Sequence, residues 1–296
     1  MQDPTSGAAS LAWQSEGGSS GVPVLLIHGL GQTLQDWPRA FVTGLADTGR
    51  RVIQFDNRDV GRSPRYDRLG APPLLRLWLC STLRLPQWVM PPYTVSDMAS
   101  DTVALLDALR IPVAHIVGAS MGGMIAQHIA VTHPHRVRSL TLIMSSSGAP
   151  GLPPARGDVQ RALSGREPDN LQTAIASAYA FRHLIAGPLS ADDAAELELR
   201  VTRSTTYGWP SGAGVARQYA AILADRHRYR LLGQVKARCL VIHGEQDPLL
   251  PIAHGRDAVT RISGSRFVPL PVMAHEITPS LSASILPEIA TLLRDV

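Results

Sequence analysis

Cysteine is nearly absent: Cys80 and Cys239 are the only two in 296 residues, far apart and in no metal-binding or redox spacing. A disulfide scaffold is thereby excluded, and both read as free thiols. Lysine occurs once, at Lys236, so arginine carries the positive charge; 28 basic against 24 acidic residues leave a net +4 scattered along the chain. No basic run forms a nucleic-acid footprint, and the arginine bias reads as codon composition. No stretch reaches ~18 uninterrupted apolar residues, which excludes a membrane-spanning helix. The first ten residues lack the apolar segment of a secretory signal, so a soluble, cytoplasmic protein is expected. There is no Gly-x-x-x-x-Gly-Lys, and no Gly-x-Gly-x-x-Gly after a strand, hence no nucleotide site; no internal repeat is visible either. What is present is 45% hydrophobic and 18% charged residues, on a length that suits one large domain or two ordinary ones with a sizeable core.

Short apolar runs alternate with helical patterns, the signature of a parallel sheet with crossover helices. Strands are expected at Val22–Ile27, Arg51–Phe55, Ala114–Val117, Leu140–Met144, Cys239–Ile242 and Arg266–Leu270, after a Gly/Ser-rich leader at 17–21. A helix from Val95 to Leu109 has Ser96 as a plausible N-cap and Pro112 as its stop. Further helices follow Gly122, run from His254 to Ile262, and begin at Pro279. Residues 151–232 break the alternation with helical patterns at 171–183, 191–204 and 215–224 and no convincing strand. A helical insertion between two parallel strands reads as a cap over the edge of the sheet where ligands bind in open α/β folds. The expected organisation is a first core part at 1–150, the cap at 151–232, and a second core part at 233–296.

Gly118-Ala-Ser120-Met-Gly122 matches Gly-x-Ser-x-Gly between a buried strand and a helix, a tight turn that exposes the serine hydroxyl. A second match, Gly17 to Gly21 around Ser19, sits in the leader with no helix behind it. Ser120 also suits a helix N-cap, but the strand–turn–helix setting favours a nucleophile. A serine hydroxyl needs a base, and the base an orienting carboxylate. Asp247 follows one late strand and His275 the next. Each has an ordinary reading, turn chemistry for Asp247-Pro248 and a solvated loop for His275; together they complete the order Ser, Asp, His at successive strand ends. Glu245 lies too close to its strand, while His254 and Asp257 fall in the following helix. Backbone N–H groups of Met121, at a helix N-terminus, and of Leu30, in the Gly29-Leu30-Gly31 loop, are candidates for holding an oxyanion. His133-Pro-His135 has no third ligand nearby and reads as surface.

His28-Gly-Leu-Gly31, Phe55 to Ser63, Val117 to Gln127, Val241 to Asp247 and Ala274-His275 together resemble the α/β-hydrolase-fold serine esterases, in particular bacterial esterases of the aclacinomycin methylesterase and monoalkyl-phthalate hydrolase kind. The resemblance spans the core and not the cap. It implies an α/β-hydrolase fold, a mostly parallel sheet flanked by helices, with no cofactor and a small-molecule ester as substrate. It also implies a structural loop at Asp56 to Arg62. A serine at position 120 argues against dehalogenases and epoxide hydrolases of this fold, which use aspartate there. A carbon–carbon bond hydrolase, a cofactor-free perhydrolase and a silent binding module remain alternatives. Ala274 stands where a glycine often precedes the histidine. Residues 70–92 form a longer apolar insertion than usual, rich in Leu and bearing Trp78 and Trp88. It reads either as a helix packed on the cap or as a movable lid that lines an acyl pocket or makes weak contact with lipid at 72–92.

Overall fold

Strand residues that are apolar on both faces form the centre of the sheet, and polar strands form its edge. The computed structural model describes residues 11–19, 21–83, 90–163, 169–208 and 211–295. Among these, the strands are Trp13–Gly17 (β1), Val24–Ile27 (β2), Arg51–Phe55 (β3), Ala114–Ala119 (β4), Val137–Ile143 (β5), Arg238–Gly244 (β6) and Arg266–Leu270 (β7). They make one sheet in the order β1-β3-β2-β4-β5-β6-β7. Every neighbouring pair is parallel except β1 with β3. Both β2 and β4 are buried along their whole length, as parallel strands covered on both faces must be.

The helices are Arg39–Ala46 (α1), Leu74–Thr82 (α2), Val95–Ala108 (α3), Met121–Thr132 (α4), Gly157–Leu163 (α5), Leu171–Ala186 (α6), Ala191–Gly208 (α7), Gly212–Ala224 (α8), Ala253–Arg261 (α9) and Pro279–Arg294 (α10). Side chains along a strand alternate between faces. Leu25 and Ile27 therefore join a core with Met98 and Leu105 of α3 and Ile125 of α4. Val24 and Leu26 join the opposite core with Phe41 of α1 and Ile285 of α10. The sheet is thus a middle layer between two helical layers. Between β5 and β6 the regular elements among the described residues are all helical, from α5 through α8 to two short 3-10 turns. No helix among the described residues is long and apolar enough to cross a membrane.

Two elements are not expected from the sequence, and one expected cap needs correction. An unexpected strand precedes the Gly/Ser-rich leader: β1 pairs antiparallel with β3, from Trp13 opposite Phe55 to Gly17 opposite Arg51. Its residues are largely exposed, because an edge strand is held by ladder hydrogen bonds and carries no apolar alternation to read. The helix α1, also unread, follows a short 3-10 turn at Leu34–Asp36. The cap of α3 is Thr94 and not Ser96. The Thr94 hydroxyl accepts from Asp97 N–H at 3.1 Å while the Asp97 carboxylate accepts from Thr94 N–H at 2.7 Å, a reciprocal capping box.

Candidate active site

Ser120 occupies the turn from β4 into α4 with φ 53° and ψ −120°, a sparsely populated conformation for a residue with a side chain. Its N–H donates to the Ile143 carbonyl at 2.9 Å, and its own carbonyl accepts from the Ser145 hydroxyl at 2.7 Å. The turn is tight enough that a Cβ on Gly122 would lie 2.0 Å from the Ile27 carbonyl oxygen. Only glycine lets α4 begin so near β2. Although Ser120 stands at the N-cap position, its side chain makes no capping hydrogen bond; it turns instead to His275.

Asp247, after β6, and His275, after β7, meet Ser120 at the same edge of the sheet. His275 Nε2 is 3.0 Å from Ser120 Oγ, and His275 Nδ1 is 2.7 Å from Asp247 Oδ2. With Nδ1–H donating to the carboxylate, Nε2 is left to accept the serine proton. The second oxygen, Asp247 Oδ1, accepts from Leu249 N–H at 2.9 Å and Leu250 N–H at 2.8 Å. Burial opposes the charge on Asp247, yet His275 and His243 beside it hold the carboxyl well below the usual range. The His275 N–H donates to the Ile185 carbonyl of α6 at 2.9 Å, so the helical insertion supports the loop that carries the imidazole.

The rival residues are engaged elsewhere. His254 bonds Ser146 Oγ and the Pro153 carbonyl, and Asp257 pairs with Arg261 and Ser147. The Glu245 side chain is exposed, as is Ser19 before β2.

The loop after β2 lies against the serine: a Cβ on Gly29 would be 3.3 Å from Ser120 Cβ. Gly29 N–H donates to Gln32 Oε1 at 3.2 Å, and Gly31 N–H donates to Gln218 Oε1 at 2.9 Å. Between them, Leu30 N–H has no acceptor among the described residues; nor has Met121 N–H, at the first position of α4. His28 stacks on Trp37 with ring centroids 4.1 Å apart. Its imidazole is pushed down to about 3 by burial and by the nearby Arg182 and Arg200, against the pull of Asp36 and Glu276. It is therefore neutral, with Nδ1–H donating to Gln32 Oε1 at 3.1 Å. Among the described residues no group of three or more His, Cys, Asp or Glu side chains is arranged to hold a metal ion. The His133 and His135 rings lie 6.3 Å apart.

Residues 22–276 match the family model described as the alpha/beta hydrolase fold. The chain belongs to the α/β hydrolase fold family. It is 28% identical over 287 residues to rhodomycin D methylesterase DauP of Streptomyces sp. (strain C5), covering 88% of this chain and 87% of that protein. Among solved structures, the esterase EaEST from Exiguobacterium antarcticum superposes with a TM-score of 0.71 at 18% identity, covering 96% of this chain and 95% of the other. The meta-cleavage product hydrolase CumD of Pseudomonas fluorescens IP01 gives 0.71 at 18%, covering 98% and 96%. These two likenesses are of fold.

Around the site this α/β hydrolase buries charges that the sequence reading missed. Arg182 of α6 donates to Asp36 at 2.8 Å and, through Nη2 and Nε, to both oxygens of Glu276. Arg200 of α7 donates to Glu276 at 3.1 Å and to the Asp36 carbonyl at 2.7 Å. Glu276 directly follows His275, so two insertion helices are tied by ion pairs to the histidine loop. The segment after β3, expected to be structural, is a second brace. Asp56 accepts from Leu34 N–H at 2.7 Å, Arg62 N–H at 2.9 Å and Tyr207 Oη at 3.1 Å. Asp59 takes both Nε and Nη2 of Arg217, at 2.8 and 2.7 Å. The adjacency of Glu276 to His275 was a usable signal. Arg182, Arg200, Arg217 and Gln218 sit in helical patterns like any others and carried none.

Proposed function

We propose that the protein is a carboxylic ester hydrolase that works through an acyl-enzyme. The observation that carries this reading is the hydrogen-bonded line from Asp247 through His275 to Ser120, with the serine on a strained turn. The methylesterase relative supports esters as the substrate class. Ser120 Oγ attacks the ester carbonyl carbon as His275 Nε2 takes its proton, and the carbonyl oxygen becomes an oxyanion facing the N–H groups of Leu30 and Met121. Asp247 fixes the imidazole tautomer and stabilises the imidazolium. His275 then protonates the leaving alcohol, the C–O bond breaks, and water repeats the sequence to release the acid. Residues 151–232 act as the cap over this edge. The substrates are small esters of short to medium chain.

Purified protein is expected to hydrolyse p-nitrophenyl acetate. Absence of turnover overturns the assignment.

Within the apolar segment at 70–92, the described helix has a buried and an exposed face. Its helix α2 buries Leu77 and Cys80 and leaves Leu75, Trp78 and Leu79 exposed, with Leu83 and Met90 exposed beyond it; Trp88 lies outside the described residues. We assign the exposed face to the acyl chain or a lipid surface, to which an apolar stripe with Trp and Arg is suited. Replacing residues 73–91 by a short Gly/Ser loop should leave acetyl esters as substrates while longer acyl esters lose kcat/KM and liposome binding falls. An early-melting variant with an unchanged chain-length profile identifies the segment as core.

A further inference from the structure

Three consecutive N–H groups line the loop after β2, and two are already taken. Gly29 N–H is held by Gln32 Oε1 at 3.2 Å and Gly31 N–H by Gln218 Oε1 at 2.9 Å. Leu30 N–H, between them, has no acceptor among the described residues. Gln32 belongs to the same loop, but Gln218 comes from α8, 187 residues away, with no exposed surface. Its amide orientation is unambiguous: Oε1 faces an N–H, while Nε2 donates to the Arg58 carbonyl at 2.7 Å, and neither partner could take the reverse role. Val215, one turn earlier on α8, packs on the same loop, 3.2 Å from where a Cβ on Gly31 would stand. The loop needs such fixing. Gly29 and Gly31 flank Leu30, Gly31 adopts φ 70°, and a loop with two glycines has many conformations of similar energy.

We infer that Gln218 is a positioning residue for the oxyanion hole: by holding Gly31 N–H from the cap, it leaves Leu30 N–H as the donor facing the reacting oxygen. Gln32 performs the same service on the other side. The cap then does more than cover the substrate, since one of its helices sets the alignment of the group that stabilises charge in the transition state. Losing a donor of this kind costs about 10² to 10³ in kcat; misaligning one costs less. This inference rests on the acyl-transfer reading above, and Gln218 itself touches no reacting atom.

The test compares Gln218→Met, which keeps length and removes both hydrogen bonds, with Gln218→Glu, which keeps an acceptor for Gly31 N–H. In Gln218→Met, kcat for p-nitrophenyl acetate should fall about 10- to 100-fold, in keeping with a weakened oxyanion donor, while KM changes little. Affinity for a boronic acid, which forms a tetrahedral adduct on the serine, should weaken by a comparable factor, and Gln218→Glu should recover much of both. Gln32→Met, at a half-buried position, should show the same kcat-selective loss and serves if Gln218→Met does not fold. Unchanged kcat and boronate affinity in a folded Gln218→Met, or in Gln32→Met if that stands in for it, overturns the inference. So does a loss that appears in KM alone. Ser120→Ala is measured alongside. If it retains activity, the acyl-transfer reading itself has failed; if it is inactive while the glutamine variants are unaffected, only the present inference has failed.

Discussion

Replacing Ser120 or His275 by alanine is expected to lower kcat by about 10⁴ to 10⁶, each nearly as severely as removing the whole relay, because the groups act as one unit. The geometry accounts for the size of the effect. Ser120 Oγ has His275 Nε2 at 3.0 Å and would otherwise face the carbonyl as a hydroxyl with no base. His275 in turn holds its tautomer through the 2.7 Å bond to Asp247. An organophosphonate should label Ser120 alone, and Ser19→Ala, in the exposed segment before β2, should leave kcat unchanged. Labelling and turnover that both survive Ser120→Ala overturn the assignment of the nucleophile.

The second large effect concerns stability. Glu276 is only 3% exposed, and its two oxygens receive Arg182 and Arg200, themselves 7% and 2% exposed. In Glu276→Gln the two guanidinium groups stay buried with their charge no longer balanced at this position. Removing one partner of a buried ion pair costs about 3–5 kcal/mol, to be read as a lowered midpoint in urea at neutral pH. The pH dependence has a defined sign. Burial would raise the Glu276 carboxyl, but Arg182 and Arg200 outweigh it and hold it at about 2, below its ordinary 4.5. A carboxyl with a depressed native pKa contributes stability that is fully present above the unfolded value and is lost as pH falls towards the native one. The gap between wild type and Glu276→Gln should therefore be widest above pH 4.5 and narrow below it, between 4.5 and about 2. Equal stability of the two proteins at neutral pH overturns this account of the cluster.

The sequence by itself determined the layered core and the residues that meet at its edge. Runs such as Val24–Ile27 and Arg51–Phe55 declare buried strands through composition and length, and period-2 alternation sends their side chains into two separate cores. The serine on its strand-to-helix turn, Asp247 and His275 were legible because each stands within a few residues of a strand end, where turn chemistry is local. Only the tertiary structure decided what surrounds them. The strand Trp13–Gly17 exists because the edge of β3 offers it a ladder, and nothing in its own residues requires one. Thr94, and not Ser96, caps α3, since both residue types suit the role and three-dimensional reciprocity with Asp97 chooses between them. Arg182 finds Glu276 across 94 residues and Gln218 finds Gly31 across 187. Such contacts leave no mark on periodicity or propensity, which act over a turn or two of chain. They arise when the insertion helices come down on the sheet edge and bury polar groups that must then find partners.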